Sequence, residues 1–180
     1  MNVKPAVDTP RLWLRPWIES DLAPFAAMGR DPRVMAHFPA LLFESESRDV
    51  AIRIMNHIGE HGFGFWAIER KSDRQFLGFC GLKKVAFEAP VQGEVEIGWR
   101  LAHKHWGMGY AREAAEAALA HGFNRLGLPR IVSFTVPGNV RSWGLMERLG
   151  MRRAEELDFE HPDLVPGHRL RQHIVYVKDA

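Results

Sequence analysis

Hydrophobic and polar residues alternate most regularly between positions 94 and 101. The hydrophobic set is Val95, Ile97, Trp99 and Leu101, and the intervening set is Glu94, Glu96, Gly98 and Arg100. Because successive side chains of an extended chain point to opposite faces, this alternation predicts a strand with one hydrophobic and one largely charged face. Two carboxylates on the same strand face make this segment a candidate for proton transfer.

A second period, close to 3.6 residues, predicts helices. Residues 44–61 carry hydrophobic side chains at Val50, Ile54 and Ile58, and Gly62 follows as a stop signal. Near the N-terminus, Ser20 or Asp21 can cap a short helix that ends near residue 28. The dipeptide Asp31-Pro32 predicts a further helix start, since proline is tolerated in the first turn. Helices are also predicted over residues 109–126 and 139–149.

Segments rich in aromatic and β-branched residues predict the remaining strands. They cover residues 12–17, 63–69, 76–85, 131–136, 151–159 and 169–178. The predicted order is one strand, helices, three strands, a helix, a strand, a helix and two strands. This order implies an α/β (α+β) fold with a mixed, mostly antiparallel sheet of about seven strands flanked by helices. The 180 residues, 46% of them hydrophobic, fit a single domain over residues 1–180.

Composition excludes several classes of partner. The 24 basic and 22 acidic residues give a formal net charge of +2 and are scattered, so we expect neither a nucleic-acid nor a membrane partner. Cys80 is the only cysteine and lies in an apolar strand pattern, which predicts a buried side chain without a chemical role. The first ten residues lack a signal-peptide pattern, and we expect a cytoplasmic protein.

The turn after the alternating strand carries a glycine-rich sequence. Residues 105–111 read His-Trp-Gly-Met-Gly-Tyr-Ala and open a predicted helix, with Lys104 and Arg112 at the flanks. Small residues let a ligand approach the backbone, and amides at a helix start attract phosphate groups. A Rossmann fingerprint would need glycine at position 112, and a Walker loop would need a glycine-lysine pair before Ser or Thr. The two glycines alone are equally compatible with a tight turn.

Several motifs together resemble the GNAT superfamily of acetyltransferases and its RimJ/RimL-like branch. They are Thr-Pro-Arg-Leu-Trp-Leu-Arg-Pro at 9–16, Glu-Ile-Gly-Trp at 96–99, Trp-Gly-Met-Gly-Tyr-Ala at 106–111, Asn-Val-Arg-Ser at 139–142 and Glu-Arg-Leu-Gly-Met at 147–151. The resemblance implies a GNAT fold, a splay between the fourth and fifth strands, and acetyl-CoA as co-substrate without a metal.

The same resemblance implies which residues hold acetyl-CoA. Its signature is Gln/Arg-x-x-Gly-x-Gly/Ala, so Gly109 and Ala111 occupy the small positions and Trp106 replaces the polar one, as is typical of the RimJ/RimL-like branch. The implied cofactor residues are Trp99, Arg100, Leu101, Trp106, Gly107, Met108, Gly109, Tyr110, Ala111, Arg112, Asn139 and Ser142. Of these, Asn139 equally suits a helix cap.

Acetyl transfer to an amine needs a base for the nitrogen and an acid for the departing thiolate. Glu96 is favoured over Glu94 as the base, since it holds the Glu-Ile-Gly position of the family, and two nearby carboxylates can raise each other's pKa. The alternatives are that water acts as the base or that both carboxylates only face solvent. Ser142 is the candidate acid, with solvent as the alternative. Nine histidines show no metal-ligand spacing, so no metal is expected.

The sequence therefore predicts an N-acetyltransferase acting on a primary amine, either a protein N-terminal α-amine or a small molecule. The alternative is a non-catalytic acyl-CoA-binding sensor or regulator. A homodimer is compatible with the sequence and not required by it.

Overall fold

The computed structural model describes residues 4–180, and nine strands form its sheet. The strands are β1 (Val7–Asp8), β2 (Leu12–Arg15), β3 (Phe65–Arg70), β4 (Phe76–Lys84), β5 (Val95–Leu101), β6 (Arg130–Thr135), β7 (Arg152–Arg153), β8 (Phe159–Glu160) and β9 (Gln172–Asp179). The helices are α1 (Leu22–Gly29), α2 (Glu44–His61), α3 (Tyr110–Asn124) and α4 (Val140–Arg148). The predicted helix over 44–61 and its stop are confirmed, because Gly62 caps α2 in the left-handed conformation with φ 75°.

The strands lie in the order β1-β2-β3-β4-β5-β6-β9-β7, and β8 also pairs with β9. The pairs are antiparallel except for β5 and β6, which run parallel. This confirms the mixed, mostly antiparallel sheet. The expected seven strands become nine because β1 is added as a two-residue strand and the expected strand over 151–159 is divided.

The expected single strand over 151–159 is wrong. A 3-10 turn, Glu155–Leu157, separates β7 from β8. Asp158 Oδ1 accepts a hydrogen bond from the Val175 amide at 3.0 Å, and Arg153 Nη1 donates to the Val175 carbonyl at 3.1 Å. Because the Asp158 carboxylate takes the Val175 amide that a continuous strand would pair with a backbone carbonyl, the ladder is interrupted here.

The expected helix start at Asp31-Pro32 is also wrong. Turns and bends occupy residues 32–40, and the next helix is α2. Asp31 Oδ1 accepts hydrogen bonds from the backbone amide and the Nε of Arg33, both at 2.9 Å. An aspartate that bonds to the backbone two residues later stabilises a turn and competes with a helix. At the preceding helix, the Asp21 carboxylate accepts from the Ile18 amide at 2.9 Å and caps the Glu19–Asp21 turn that leads into α1.

Helices cover both faces of the sheet. One core includes Trp17, Phe25 and Phe79 and lies against α1 and α2, whereas the core on the other face includes Ile97, Ala118 and Met146 and lies against α3 and α4. Cys80 is fully buried in the latter. Across residues 4–180, no helix combines the length and apolar character that crossing a bilayer requires.

Helix α3 approaches the sheet closely because its inner face carries small residues. Ala114, Ala115 and Ala118 are fully buried. At Gly122 an added Cβ atom would come within 2.6 Å of Ile131 and 2.9 Å of Leu82. The glycine therefore sets the distance between α3 and the sheet, and through it the position of the turn from which α3 starts.

We expect Gly122→Val to destabilise the protein by about 1–3 kcal/mol, since the added carbons must displace packed side chains. Ala120→Val on the exposed side of α3 is the control for helix propensity and should cost well under 1 kcal/mol. Urea unfolding of both variants measures the difference. Equal unfolding midpoints for the two would show that α3 does not pack closely at Gly122.

Candidate active site

The parallel strands β5 and β6 separate after a short contact. Their register contains the single pair Glu96 and Val132. One residue further, the Ser133 hydroxyl donates a hydrogen bond to the Ile97 carbonyl at 2.9 Å. The remaining part of β5 is paired only with β4, up to Leu101. The splay expected between the fourth and fifth predicted strands thus lies between β5 and β6.

A cleft of about 1180 Å³ occupies this gap. Phe65 and Phe79 from the α1/α2 face line it, and so do Leu145 and Ser142 from helix α4 on the opposite face. The cleft is therefore accessible from both sides of the sheet. Two substrates can approach each other through such an opening without passing around the sheet edge.

The glycine-rich turn borders the cleft at the start of α3. Gly107 and Gly109 both adopt left-handed conformations, with φ of 76° and 80°, and both line the cleft. Tyr110 is the first helical residue, and the first turn of a helix leaves its amides without intrahelical partners. Ala111 and Arg112 of this turn also line the cleft. The geometry suits an anionic group such as a pyrophosphate.

Trp106 connects this turn to the end of β5. Its indole Nε1 donates a hydrogen bond to the Leu101 carbonyl at 2.8 Å, and the guanidinium of Arg141 lies 5.3 Å from its ring. The Leu101 carbonyl is therefore already engaged, whereas the backbone of Gly98 and Trp99 borders the cleft without β6 alongside.

Two of the predicted cofactor residues, Met108 and Tyr110, make contacts within the protein. Met108 is not among the lining residues, and its carbonyl accepts a hydrogen bond from Arg11 Nη1 at 3.0 Å. Tyr110 lines the cleft but its side chain is largely buried, with the Arg11 guanidinium 4.6 Å from the ring.

The N-terminal motif Thr9-Pro10-Arg11 holds the start of α3 in place. Glu113 accepts hydrogen bonds from the Thr9 hydroxyl at 2.7 Å, from the Arg11 amide at 2.8 Å and from Arg11 Nε at 2.6 Å. Sequence reasoning assigned no role to these three residues. Glu113 lies about a hundred positions after this motif, so the contact between them cannot be predicted from the local sequence.

Glu96 and Glu94 have different environments. Glu96 lines the cleft with its side chain only 14% exposed, and Lys83 Nζ lies 3.9 Å from its carboxylate. Burial raises the pKa of Glu96 from 4.5 to about 7, and Lys83 opposes that shift. Glu94 lies outside the cleft lining and pairs with Arg130 at 3.5 Å. The idea that the two carboxylates raise each other's pKa is not supported, because burial is the cause at Glu96.

Asn139 and Ser142, at the start of α4, both line the cleft as expected. Asn139 Nδ2 donates to the Thr135 hydroxyl at 3.0 Å and makes no capping hydrogen bond to the helix. Asn139 therefore occupies the N-cap position of α4, as the sequence predicted, but its side chain does not cap the helix. Its amide instead links α4 to the end of β6, and this link positions Ser142 beside the gap.

The family model described as Acetyltransferase (GNAT) domain matches residues 11–152. The chain belongs to this family. It is accordingly an acyltransferase by family, and its fold is the GNAT fold expected from the sequence.

Individual relatives support this assignment. The chain is similar to the uncharacterized protein YkkB of Bacillus subtilis, 34% identical over 87% of this chain and 91% of that protein. It is 28% identical to the FsC-acetyl coenzyme A-N(2)-transacetylase of Aspergillus fumigatus over 93% of this chain and 73% of that protein. A crystal structure of the acetyltransferase from Agrobacterium tumefaciens superposes with a TM-score of 0.79 at 26% identity, covering 100% of this chain and 97% of that one.

The raised pKa of Glu96 predicts a specific dependence of stability on pH. The folded protein binds this proton more tightly than the unfolded chain, so the native protein should lose stability as pH rises from about 4.5 to about 7. Glu96→Gln lacks the ionisable group. The difference between the unfolding midpoint of Glu96→Gln and that of the native protein should therefore increase from about pH 4.5 to about pH 7 and stay constant at higher pH.

Urea unfolding at a series of pH values measures this effect. Glu94→Gln is the matched control and should follow the native pH dependence, because Glu94 is half-exposed and outside the cleft. A difference between Glu96→Gln and the native protein that does not change from about pH 4 to about pH 8 would contradict the raised pKa.

Proposed function

We propose that this protein is an N-acetyltransferase of the RimJ/RimL-like branch that moves an acetyl group from acetyl-CoA to a primary amine, using one domain that spans residues 1–180. The acceptor is a protein N-terminal α-amine or a small-molecule amine. The observation that carries the proposal is a cleft that joins the glycine-rich turn at the start of α3 to the buried carboxyl of Glu96. The name of the Aspergillus relative supports both the acetyl coenzyme A donor and a nitrogen acceptor.

The chain offers suitable contacts for acetyl-CoA. Gly107, Gly109 and the first amides of α3 would bind the pyrophosphate, and Arg112, which pairs with Glu116 at 2.8 Å, borders the same end of the cleft. The backbone groups of Trp99, which point away from β4 and toward the gap, would bind the amides of the pantetheine arm as a neighbouring strand would. This arrangement directs the thioester toward Glu96 and Ser142, and the acceptor enters from the α1/α2 face.

Glu96 acts as the base in this proposal. A carboxyl with a pKa of about 7 can accept a proton from the ammonium form of the acceptor near neutral pH, directly or through a water molecule. The neutral amine then attacks the thioester carbonyl. Bond formation to nitrogen is followed by cleavage of the carbon–sulfur bond, and the Ser142 hydroxyl or solvent returns a proton to the thiolate.

We expect thiol release from acetyl-CoA to accelerate when a suitable amine is added, and kcat/KM to rise with pH through an apparent pKa of about 7. Below this value Glu96 is protonated and cannot accept the amine's proton. Glu96→Gln should lower kcat/KM by roughly 10²- to 10⁴-fold and remove this rise. Glu94→Gln should resemble the native enzyme.

A thiol-release assay with a panel of peptides and small amines provides the measurement. If acetyl-CoA binds but no acceptor accelerates thiol release, the sensor or regulator interpretation is correct and the enzymatic proposal is wrong. Full activity of Glu96→Gln on a responsive acceptor would remove Glu96 from the base role while leaving the overall reaction in place.

Gly107→Ala tests the phosphate-binding turn. Gly107 and Gly127 both have left-handed φ values, 76° and 65°, and an added Cβ meets nothing within 4 Å at either position. Both alanine variants should therefore lose comparable stability, on the order of 1–2 kcal/mol. Gly107→Ala should also weaken acetyl-CoA binding by roughly tenfold, about 1.4 kcal/mol, because only Gly107 lines the cleft. Calorimetric titration with acetyl-CoA checks this, and equal affinities would place the pyrophosphate elsewhere.

A further inference from the structure

The guanidinium of Arg100 lies in the cleft with donors that the protein does not use. Arg100 lines the cleft on the same face of β5 as Glu96. Its Nε and Nη1 atoms are buried and have no hydrogen-bond partner anywhere in residues 4–180. Buried polar groups in proteins are nearly always hydrogen-bonded, and an unpaired buried charge is costly. Buried N–H groups without partners beside a cleft indicate that a ligand supplies the missing hydrogen-bond acceptors.

Aromatic rings surround Arg100 without satisfying its N–H groups. The Arg100 Cζ atom is 4.0 Å from the ring centre of Phe38, 5.4 Å from that of Phe79 and 5.9 Å from that of Phe25. Phenyl rings offer no conventional hydrogen-bond acceptor atoms, so these contacts leave the N–H groups of the guanidinium without oxygen or nitrogen partners. Burial lowers the pKa of Arg100 to about 10, so the group is still charged near neutral pH.

The nearby charges of the protein do not neutralise Arg100. Within the described part of the chain, Glu96 and Asp163 supply the carboxylates among the residues that line the cleft. Glu96 pairs with Lys83, and Asp163 is 82% exposed beside His161. Arg33, a second cation of the lining, is already paired with Asp31 at 2.8 Å. Among the described residues that line the cleft, Arg100 is therefore the cation whose unused donors are buried.

We infer that Arg100 binds the carboxylate of the acceptor, so that the preferred acceptor is an amino acid or another amine that also carries a carboxylate. This inference rests on the proposed acetyl transfer. A planar guanidinium forms paired hydrogen bonds with a carboxylate, and one positive charge matches one negative charge. A phosphate dianion would keep an uncompensated charge among phenyl rings, and a polyamine would place a second cation beside Arg100.

The positions of Glu96 and Arg100 fit a bifunctional acceptor. They are four residues apart on one strand face, about 13 Å between Cα atoms, and both line the cleft. Gly98 lies between them on that face and borders the cleft, with the Phe65 ring packed where a side chain would stand. The amine would lie near Glu96 and the carboxylate near Arg100, with the acceptor's carbon chain against Phe65.

The test compares amines that differ only in the anionic group. Glycine, β-alanine, γ-aminobutyrate and the common α-amino acids are assayed by thiol release beside their carboxamides. The native enzyme should prefer the carboxylate member of the best pair. In Arg100→Gln, kcat/KM for that member should fall by roughly 10- to 100-fold, mainly through KM, while the carboxamide loses little. Arg100→Lys keeps the charge without the planar fork and should give an intermediate loss.

Two controls separate this role from a general effect of the substitution. Arg33→Gln removes a cleft cation that is already paired and should leave the preference for carboxylates intact. The acetyl-CoA dissociation constant and the thermal unfolding midpoint of each variant show whether the cofactor site and the fold persist. If Arg100→Gln lowers kcat/KM equally for carboxylate and carboxamide, the side chain has only a structural role and the inference is wrong.

Other outcomes distinguish the inference from the proposed function. A native enzyme that acetylates amines but prefers the carboxamides overturns the role of Arg100 and leaves the acetyltransferase proposal standing. If no amine is acetylated, the proposed function fails. Calorimetric titration with the N-acetylated amino acids and their carboxamides then decides the binding role, since only the native protein and not Arg100→Gln should prefer the carboxylates.

Discussion

The separation of β5 from β6 is the constraint on which the rest of the structure depends. The strands share one bridging pair at Glu96 and Val132, and the Ser133 hydroxyl adds a bond to Ile97 before they part. An opening in a sheet leaves backbone groups that need partners. Trp106 satisfies one of them, the Leu101 carbonyl. The others form an edge suited to an extended, amide-containing ligand, so one feature creates both the passage and its binding surface.

The same gap explains why Glu96 and Arg100 depart from the usual behaviour of charged residues. Burial raises the pKa of Glu96 to about 7 and lowers the pKa of Arg100 to about 10, so it disfavours the charged form of each group. Lys83, 3.9 Å from the Glu96 carboxylate, offsets only part of the pKa shift of Glu96. Arg100 contacts aromatic rings and no carboxylate. Stability alone does not favour such an arrangement, whereas binding and proton transfer do.

The sequence predicted features that arise from local periodicity. Alternation over 94–101 and the helical spacing over 44–61 correspond to β5 and α2, and the family motifs indicated the glycine turn and the splay. The sequence-based prediction failed at Asp31 and Asp158, where a side chain replaces a backbone hydrogen-bond partner. Such competition produces no periodic pattern of hydrophobic residues in the sequence. Contacts between distant segments were equally hidden. The bond from Ser133 to Ile97 and the isolation of Arg100 depend on how strands and loops meet in space.

The two ends of the cleft differ in how they are built, and this difference bears on substrate choice. The turn end consists of backbone held by Arg11, Glu113 and the small inner face of α3, and backbone amides recognise phosphate whatever the surrounding side chains. At the other end, side chains such as Phe38 from the irregular segment before α2 surround Arg100. Side chains on such segments can change without altering the sheet. Under the proposed function, donor binding would therefore follow from the fold, and the choice of acceptor from the charges and rings around Arg100.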